Sequence, residues 1–425
     1  MRRGEPVFNG VRAAPALPRA RQARWNETCT PFPGHMRVLV VGAGIAGITT
    51  ALELHRLGID VTLMERSEAL RGQGYMIDFF GPGYDVAERL GLLPKLTKIH
   101  QPFGHLLFVD ESGKTRSDLR YSRLRRSMFR GRHFNFMRGD LERALFSAIE
   151  GQVPVVFGCS PVELDPVGSQ VRVRSNRGTY DTFDLVVGAD GFRSRVRDLA
   201  FLAGESSTIH MGSHAVAFVT SRPVGRLSKQ SFVSLSGAGF TASAYPLEDE
   251  RVATFFVHRA PGWLEDRSAA ACRRELEDTY RGHGWLLNDL IDAFPEDGSF
   301  YFDDVAQIEA LRWSDARVVL IGDAAGCVSL LGGQGASLAM FGAYTLAREL
   351  ERRPADVSKA LEAYEARVRP LVERAQRAAS RNVSWFLPRS RLGARVRDQI
   401  TRTASTPPVA WLLGRLLGGT RVALD

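Results

Sequence analysis

Lysine is scarce in this chain. It occurs only at Lys95, Lys98, Lys114, Lys229 and Lys359, so arginine carries nearly all of the positive side of a formal net charge of +9. Arginines crowd near the C-terminal end, at Arg367, Arg369, Arg374, Arg377 and Arg381. That pattern reads as a solvated helix face, with nucleic acid, anionic lipid or an acidic carrier protein as the less favoured reading. Cysteine is scarce as well: Cys29, Cys159, Cys272 and Cys327 stand far apart and form no C-x-x-C pair. This disfavours a disulfide reductase and favours a reduced, cytoplasmic protein. No stretch reaches about 18 uninterrupted apolar residues, so no transmembrane helix is expected. Residues 1–35 are rich in Arg, Pro and Ala and lack an apolar h-region. They read as a disordered extension or a misassigned upstream start, not a signal peptide.

The 425 residues are enough for two joined cores. After Met36, Val38-Leu39-Val40-Val41 is continuously apolar and rich in β-branched residues, as in a parallel strand buried on both faces. A Gly-rich turn then opens a helix through Leu57, and Val61-Thr62-Leu63-Met64 follows as a second strand. From about Met211 to Asp304 the pattern alternates apolar and polar, which predicts an antiparallel sheet with one face covered. Val318-Val319-Leu320-Ile321 returns to the first core. Helices are predicted from about Gln334 to Leu350 and from about Ser358 to Asn382. The expected architecture is α/β: a discontinuous Rossmann-type domain over 36–205 and 311–350, an inserted substrate domain over 206–310, and C-terminal helices over 351–425. Part of 103–135 is expected on the substrate side.

Chemistry enters with Gly42-Ala43-Gly44-Ile45-Ala46-Gly47, a G-x-G-x-x-G between a buried strand and a helix. Gly42 permits the tight turn, Gly44 lets backbone approach a pyrophosphate, and Gly47 lets helix and strand pack. The second strand ends at Glu65, 65 − 42 = 23 positions on, where a carboxylate can accept hydrogen bonds from ribose hydroxyls. Dinucleotide binding follows, but this motif does not separate FAD from NAD. A second element decides for FAD. Gly322-Asp323 ends another buried strand, and Gly332-Gly333-Gln334-Gly335-Ala336 opens a helix. An aspartate there can bond ribityl hydroxyls, and the helix-end amides can stabilise negative charge on a flavin ring.

These motifs, with Arg66 after Glu65 and Gly188-Ala189-Asp190-Gly191-Phe192-Arg193-Ser194-Arg195 between them, resemble the three fingerprints of the para-hydroxybenzoate hydroxylase-like FAD monooxygenases. The resemblance implies that Arg138 lies near the FAD phosphates and ribose, and that Asp190 serves FAD and a nicotinamide cofactor. It also implies that the loop holding Gln73 and Gly74 covers the flavin, as in tetracycline-modifying and polyketide-tailoring members. No second G-x-G-x-x-G is present, unlike in two-nucleotide-domain reductases, and no W-x-W pair, unlike in flavin halogenases. His210 and His214 stand four apart on a segment of strand character, a spacing that predicts no shared metal-binding face, and no metal is expected.

One departure stands out: Cys327-Val328-Ser329-Leu330-Leu331 lacks the proline that family hydroxylases place near the flavin edge. Two activities therefore remain open. In the first, NAD(P)H reduces FAD, and a flavin C4a-hydroperoxide hydroxylates or epoxidises an aromatic or polyketide-like natural product. In the second, FAD is a structural element of a cyclase similar to the dialkyldecalin synthases, with Leu330 and Leu331 shaping an apolar cavity. Phe218, Phe232, Phe240 and Tyr245 are candidate pocket residues in either case. A monomer or homodimer is expected, with no catalytic residue nominated.

Overall fold

The computed structural model describes residues 35–70, 74–225, 227–247 and 250–404. The expectations for 1–34, for Gln73 and for the C-terminal residues 405–425 lie outside them. The first core is a six-stranded sheet centred on Arg37–Val41, which pairs in parallel with Asp60–Met64 on one side and Leu185–Gly188 on the other. Val318–Leu320 continues the sheet in parallel, and Ser314–Asp315 closes that edge antiparallel. Val38 to Val41 are all buried, because the helices Ile45–Arg56 and Gly335–Arg352 pack against each other in the same apolar core. A continuous apolar strand is what that two-sided burial selects, at roughly 1.5–3 kcal/mol per buried large side chain. The long C-terminal helices begin close to where periodicity places them, at Gly335 and Val357, and the second extends to Phe386.

The second core rests on a seven-stranded sheet. Its order runs Phe300–Ala310, Ser206–Val219, Val252–Arg259, Phe240–Pro246, Ser231–Gly237, His105–Val109 and Thr115–Leu119. The sheet is antiparallel except where Ser231–Gly237 meets His105–Val109 in parallel. His105–Val109 and Thr115–Leu119 come from the 103–135 stretch, so the chain reaches this sheet twice.

Alternation decides which side chains face which way. Val216, Phe218, Val233, Leu235, Phe240, Ala242 and Phe256 point to one face, where the helices Ala269–Tyr280 and Leu287–Asp292 bury them. Ala215, Val257 and Val305 point to the other face and meet Leu331 and Leu387. The candidate pocket set therefore divides. Phe218 and Phe240 belong to the helix-covered core, because their parity along the strand is opposite to that of the cleft face. Phe232 and Tyr245 have the other parity and stack on each other at 5.3 Å.

Candidate active site

A cleft between the two cores is lined by Gly44, Ile45 and Ala46 of the first turn, by Ala189, Gly191 and Phe192, and by Arg138, Asp323, Gly333, Gly335 and Ala336. The three motifs thus converge, although they lie more than a hundred residues apart.

Local backbone explains the glycines. Gly42 has φ +105°, and a Cβ there would stand 2.5 Å from the Ala189 carbonyl oxygen. At Gly47 a Cβ would come within 1.8 Å of the Gly42 oxygen. Both serve the packing of turn, strand and helix. Gly44 differs: its nearest neighbours would be Glu142 Oε1 at 3.7 Å and Arg138 Nη2 at 3.9 Å, so the protein would tolerate a side chain. What a side chain would fill is cleft. Gly44 also precedes a helix with no side-chain cap and no acid in its first turn, and the helix beginning at Gly335 has neither as well. Two uncapped helix N-termini thus open on one cleft, an arrangement suited to a dinucleotide with its phosphates and a flavin bearing partial negative charge.

The polar groups fit the same ligand. Glu65 accepts hydrogen bonds from the Ala43 amide at 2.8 Å and the Ser67 amide at 2.9 Å, which fixes its carboxylate beside the phosphate turn. Arg66, next to it, is exposed. Arg138 Nη2 pairs with Glu142 Oε1 at 2.9 Å. Burial works against the Arg138 charge, but the carboxylates of Glu142 and Asp323 outweigh it and hold the guanidinium above its ordinary range. Asp323 has its side chain open to the cleft while protein surrounds it. That partial dehydration raises its carboxyl, against the pull of Arg138 and a bond from Cys327. A carboxylate facing such a cleft gains from hydroxyl donors, which a ribityl chain supplies. Gly322, at φ +58°, sets the turn that presents it, and a Cβ there would meet Ala46 Cβ at 2.8 Å.

Asp190 is placed otherwise than expected. Its carboxylate accepts from Ser194 Oγ at 2.5 Å and from the amides of Arg195 and Val196 at 2.6 and 3.1 Å. It therefore fastens the turn into the helix Arg195–Ala200, and its neighbours Ala189 and Gly191 line the cleft instead. Arg197, unmarked by any motif reading, is buried and donates to the carbonyls of Ala324 at 3.0 Å and Phe192 at 2.9 Å, tying the second and third motifs together. Gly74 sits beside Arg138: a Cβ on it would lie 2.9 Å from Arg138 Cβ.

The stretch without proline has its own geometry. Ser329 is buried at φ +77°, a region proline cannot enter and other residues rarely adopt. Its hydroxyl accepts from the Leu331 amide at 3.3 Å, starting a short 3-10 turn over Leu330–Gly332. Leu330 lines the cleft, whereas Leu331 is packed into the core with Ala215, Val257 and Val305. On the opposite wall stand Tyr75, Ile77, Tyr301 and Asp303. Tyr75 and Ile77 belong to the stretch that follows Gln73 and Gly74, whereas Tyr301 and Asp303 carried no motif signal, since strand parity alone determines that they face inward.

The two histidines do come together. A bulge at Gly212, φ +70°, shifts the strand register between His210 and His214 and brings their rings to 5.9 Å, next to Asp304. Hydrogen bonding argues against a shared metal. His210 Nδ1 accepts from the Gly212 amide at 3.0 Å, which leaves its proton on Nε2. His214 has acceptors at both nitrogens, Glu275 Oε1 at 2.6 Å and the Gly262 carbonyl at 2.9 Å. Asp304 already accepts from Leu264 and Arg267.

Comparison with known proteins agrees with the cleft. The FAD binding domain family matches residues 142–379, and the FAD dependent oxidoreductase family matches residues 37–75. A flavin-dependent monooxygenase of an unknown prokaryotic organism is 30% identical over 348 residues, covering 80% of this chain and 87% of the relative. The flavin-dependent monooxygenase eupH of Phoma sp is 31% identical over 403 residues, covering 87% and 92%. Among solved structures, the tetracycline destructase Tet(51) is similar with a TM-score of 0.79 and 26% identity, over 92% of this chain and 100% of that one. With the motifs, the cleft and these relatives in agreement, the chain belongs to the FAD-dependent monooxygenases and is a flavoenzyme.

Proposed function

We propose that the protein hydroxylates or epoxidises a neutral aromatic or polyketide-like natural product, consuming NAD(P)H and O2. The observation that carries this reading is the cluster of aromatic rings at the cofactor cleft: Tyr75 and Tyr301 line it, and Phe255 packs behind them against Tyr75. Two of the relatives support it: the chain is similar to a monooxygenase of Phoma sp named eupH and to a tetracycline destructase. Bound FAD supplies electron transfer from the nicotinamide to O2 and delivery of one oxygen atom. The chain's own residues do the rest. The amides after Gly44 and Gly335 orient the cofactor, Glu65 and Asp323 take its hydroxyls, and the rings opposite hold substrate and exclude water.

Leu330 at the cleft and the absence of proline keep a redox-neutral cyclisation as the competing reading. Purified yellow protein is mixed with NADPH and candidate substrate, with and without air. A product heavier by one oxygen, formed only with NADPH and air, supports the monooxygenase. An isomeric product formed anaerobically without NADPH overturns it.

A further inference from the structure

Burial drives the phenols of six tyrosines upward and keeps them neutral: Tyr75, Tyr121, Tyr245, Tyr280, Tyr301 and Tyr364. Buried polar groups as a rule have partners, and a buried tyrosine hydroxyl is no exception. Four of the six obey. Tyr121 donates to the Asp78 carboxylate, Tyr245 to the Met137 sulfur at 2.9 Å and Tyr364 to the Leu320 carbonyl at 3.1 Å, while Tyr280 bonds His258 Nδ1 at 3.1 Å. Tyr75 and Tyr301 are only half-buried and have no such partner. Their hydroxyls bond no other described residue, and neither is sealed in protein, because both residues line the cleft.

The two rings come from distant segments and meet edge to face, with centroids 5.4 Å apart at 70°. Tyr75 also leans on Phe255 at 6.0 Å. Their surroundings are apolar on the substrate-sheet side, where Met211, Phe255, Leu330 and Val383 pack nearby. Apart from Asp323, given above to the cofactor, charge is absent or spoken for. Among the described residues lining the cleft, the one cation is Arg138, paired with Glu142, and Asp303 is paired with Arg193. A carboxylate substrate would find no free cation here, whereas two neutral phenols can both donate to and accept from an uncharged oxygen.

We propose that Tyr75 and Tyr301 form a substrate subsite in which their two hydroxyls take a phenol, enol or ring-carbonyl oxygen of a neutral planar substrate, with Phe255 completing an aromatic wall. The proposal rests on the monooxygenase reading of the cleft and adds the group by which substrate is held. Specificity of this kind is strong, since an analogue lacking the oxygen leaves the hydroxyls unpaired.

The test uses FAD-loaded full-length protein without NADPH and compares 2-naphthol with naphthalene by equilibrium dialysis. Wild type is expected to prefer 2-naphthol by about 10-fold or more, and Tyr75→Phe and Tyr301→Phe each to reduce that preference about 3- to 10-fold. Naphthalene binding, FAD content and melting temperature should stay unchanged, because neither hydroxyl has a protein partner. Equal or undetectable binding of both probes by wild type overturns the proposal, as does a preference that survives both substitutions. Loss of FAD in the variants would assign the hydroxyls to the cofactor, and a large drop in melting temperature would assign them to the fold; either result also overturns it. NADPH oxidation is measured separately. A wild type that never oxidises NADPH overturns the monooxygenase reading and leaves the naphthol comparison to be judged by itself.

Discussion

Arg193 and Asp303 form a two-point ion pair, Nη1 to Oδ2 at 2.7 Å and Nη2 to Oδ1 at 2.5 Å, across the boundary between the two cores. Arg193 stands on the loop after Leu185–Gly188, and Asp303 on the strand Phe300–Ala310 that borders the cleft. The guanidinium holds the Asp303 carboxyl below its ordinary range against the opposing effect of burial. With the Arg193 side chain 42% exposed, solvent screening limits the pair to about 0.5–1 kcal/mol. A double-mutant cycle of Arg193→Ala and Asp303→Asn should return a coupling of that size by denaturant titration. A coupling of zero would show that the pair only decorates the boundary.

Asp323→Ala should lose FAD during gel filtration, while Asp278→Ala, a substitution on the exposed face of the helix Ala269–Tyr280, should keep it. Asp356 would be a poor control, because it caps the helix Val357–Phe386 by accepting from the Lys359 amide at 3.1 Å. Glu65→Ala should weaken FAD binding by one to two decades, the size expected for hydrogen bonds to a charged group. Flavin released on denaturation gives the stoichiometry, and equal retention by all three variants would refute the assignment of both acids.

Stability should depend on pH through Glu275. Burial opposes its ionisation, but hydrogen bonds from His214 and His258 prevail and hold the carboxyl at about 2. Its contribution is therefore complete above the ordinary carboxyl range and lost as pH falls towards 2. His214 moves the other way. Burial works against its charge, yet Glu275, Gly262 and Asp304 raise it above its ordinary 6.5. Its contribution is complete below that value and lost as pH rises through the folded value. Both are present between about pH 4.5 and 6.5, so denaturant midpoints should fall on either side of that window. Glu275→Gln should flatten both flanks; unchanged flanks would mean that the cluster does not govern them.

Phe218→Ala should cost about 3–5 kcal/mol, since the ring is 2% exposed and packs on Phe256 and Phe294. Substrate KM should change little in whatever protein remains folded. Urea midpoints and steady-state kinetics separate the two effects, and a KM shift without loss of stability would return Phe218 to the pocket.

The cofactor half of the site was legible because its demands fall on backbone. Gly42, Gly47 and Gly322 are needed wherever a turn must pass against a neighbouring strand, and Glu65 and Asp323 close strands that their apolar runs announce. The substrate half was less legible. Whether Phe218 or Phe232 faces the cleft depends on a one-residue parity, and the bulge at Gly212 that aligns His210 with His214 leaves no periodic mark. The partners of Asp190 were hidden for a related reason: an Asp-Gly turn reads the same whether its carboxylate meets a ligand or, as its bonds to Ser194, Arg195 and Val196 show, the next helix. Ser329 could be noticed only as a missing proline, while its positive φ became evident in three dimensions.

The helix Val357–Phe386 touches both cores along one continuous rod. Near its start Tyr364 bonds the carbonyl of Leu320, midway Gln376 Nε2 bonds those of Ile308 and Cys327, and at its end the Phe386 carbonyl receives Thr241. One helix, with Pro370 inside it, therefore meets the cofactor strand, the 327–331 stretch and the seven-stranded sheet together. A foreign sheet put in place of the seven-stranded one would have to bring its own Thr241 and Ile308 contacts to this helix. Grafts that include the rod with the sheet should fold where grafts of the sheet alone do not.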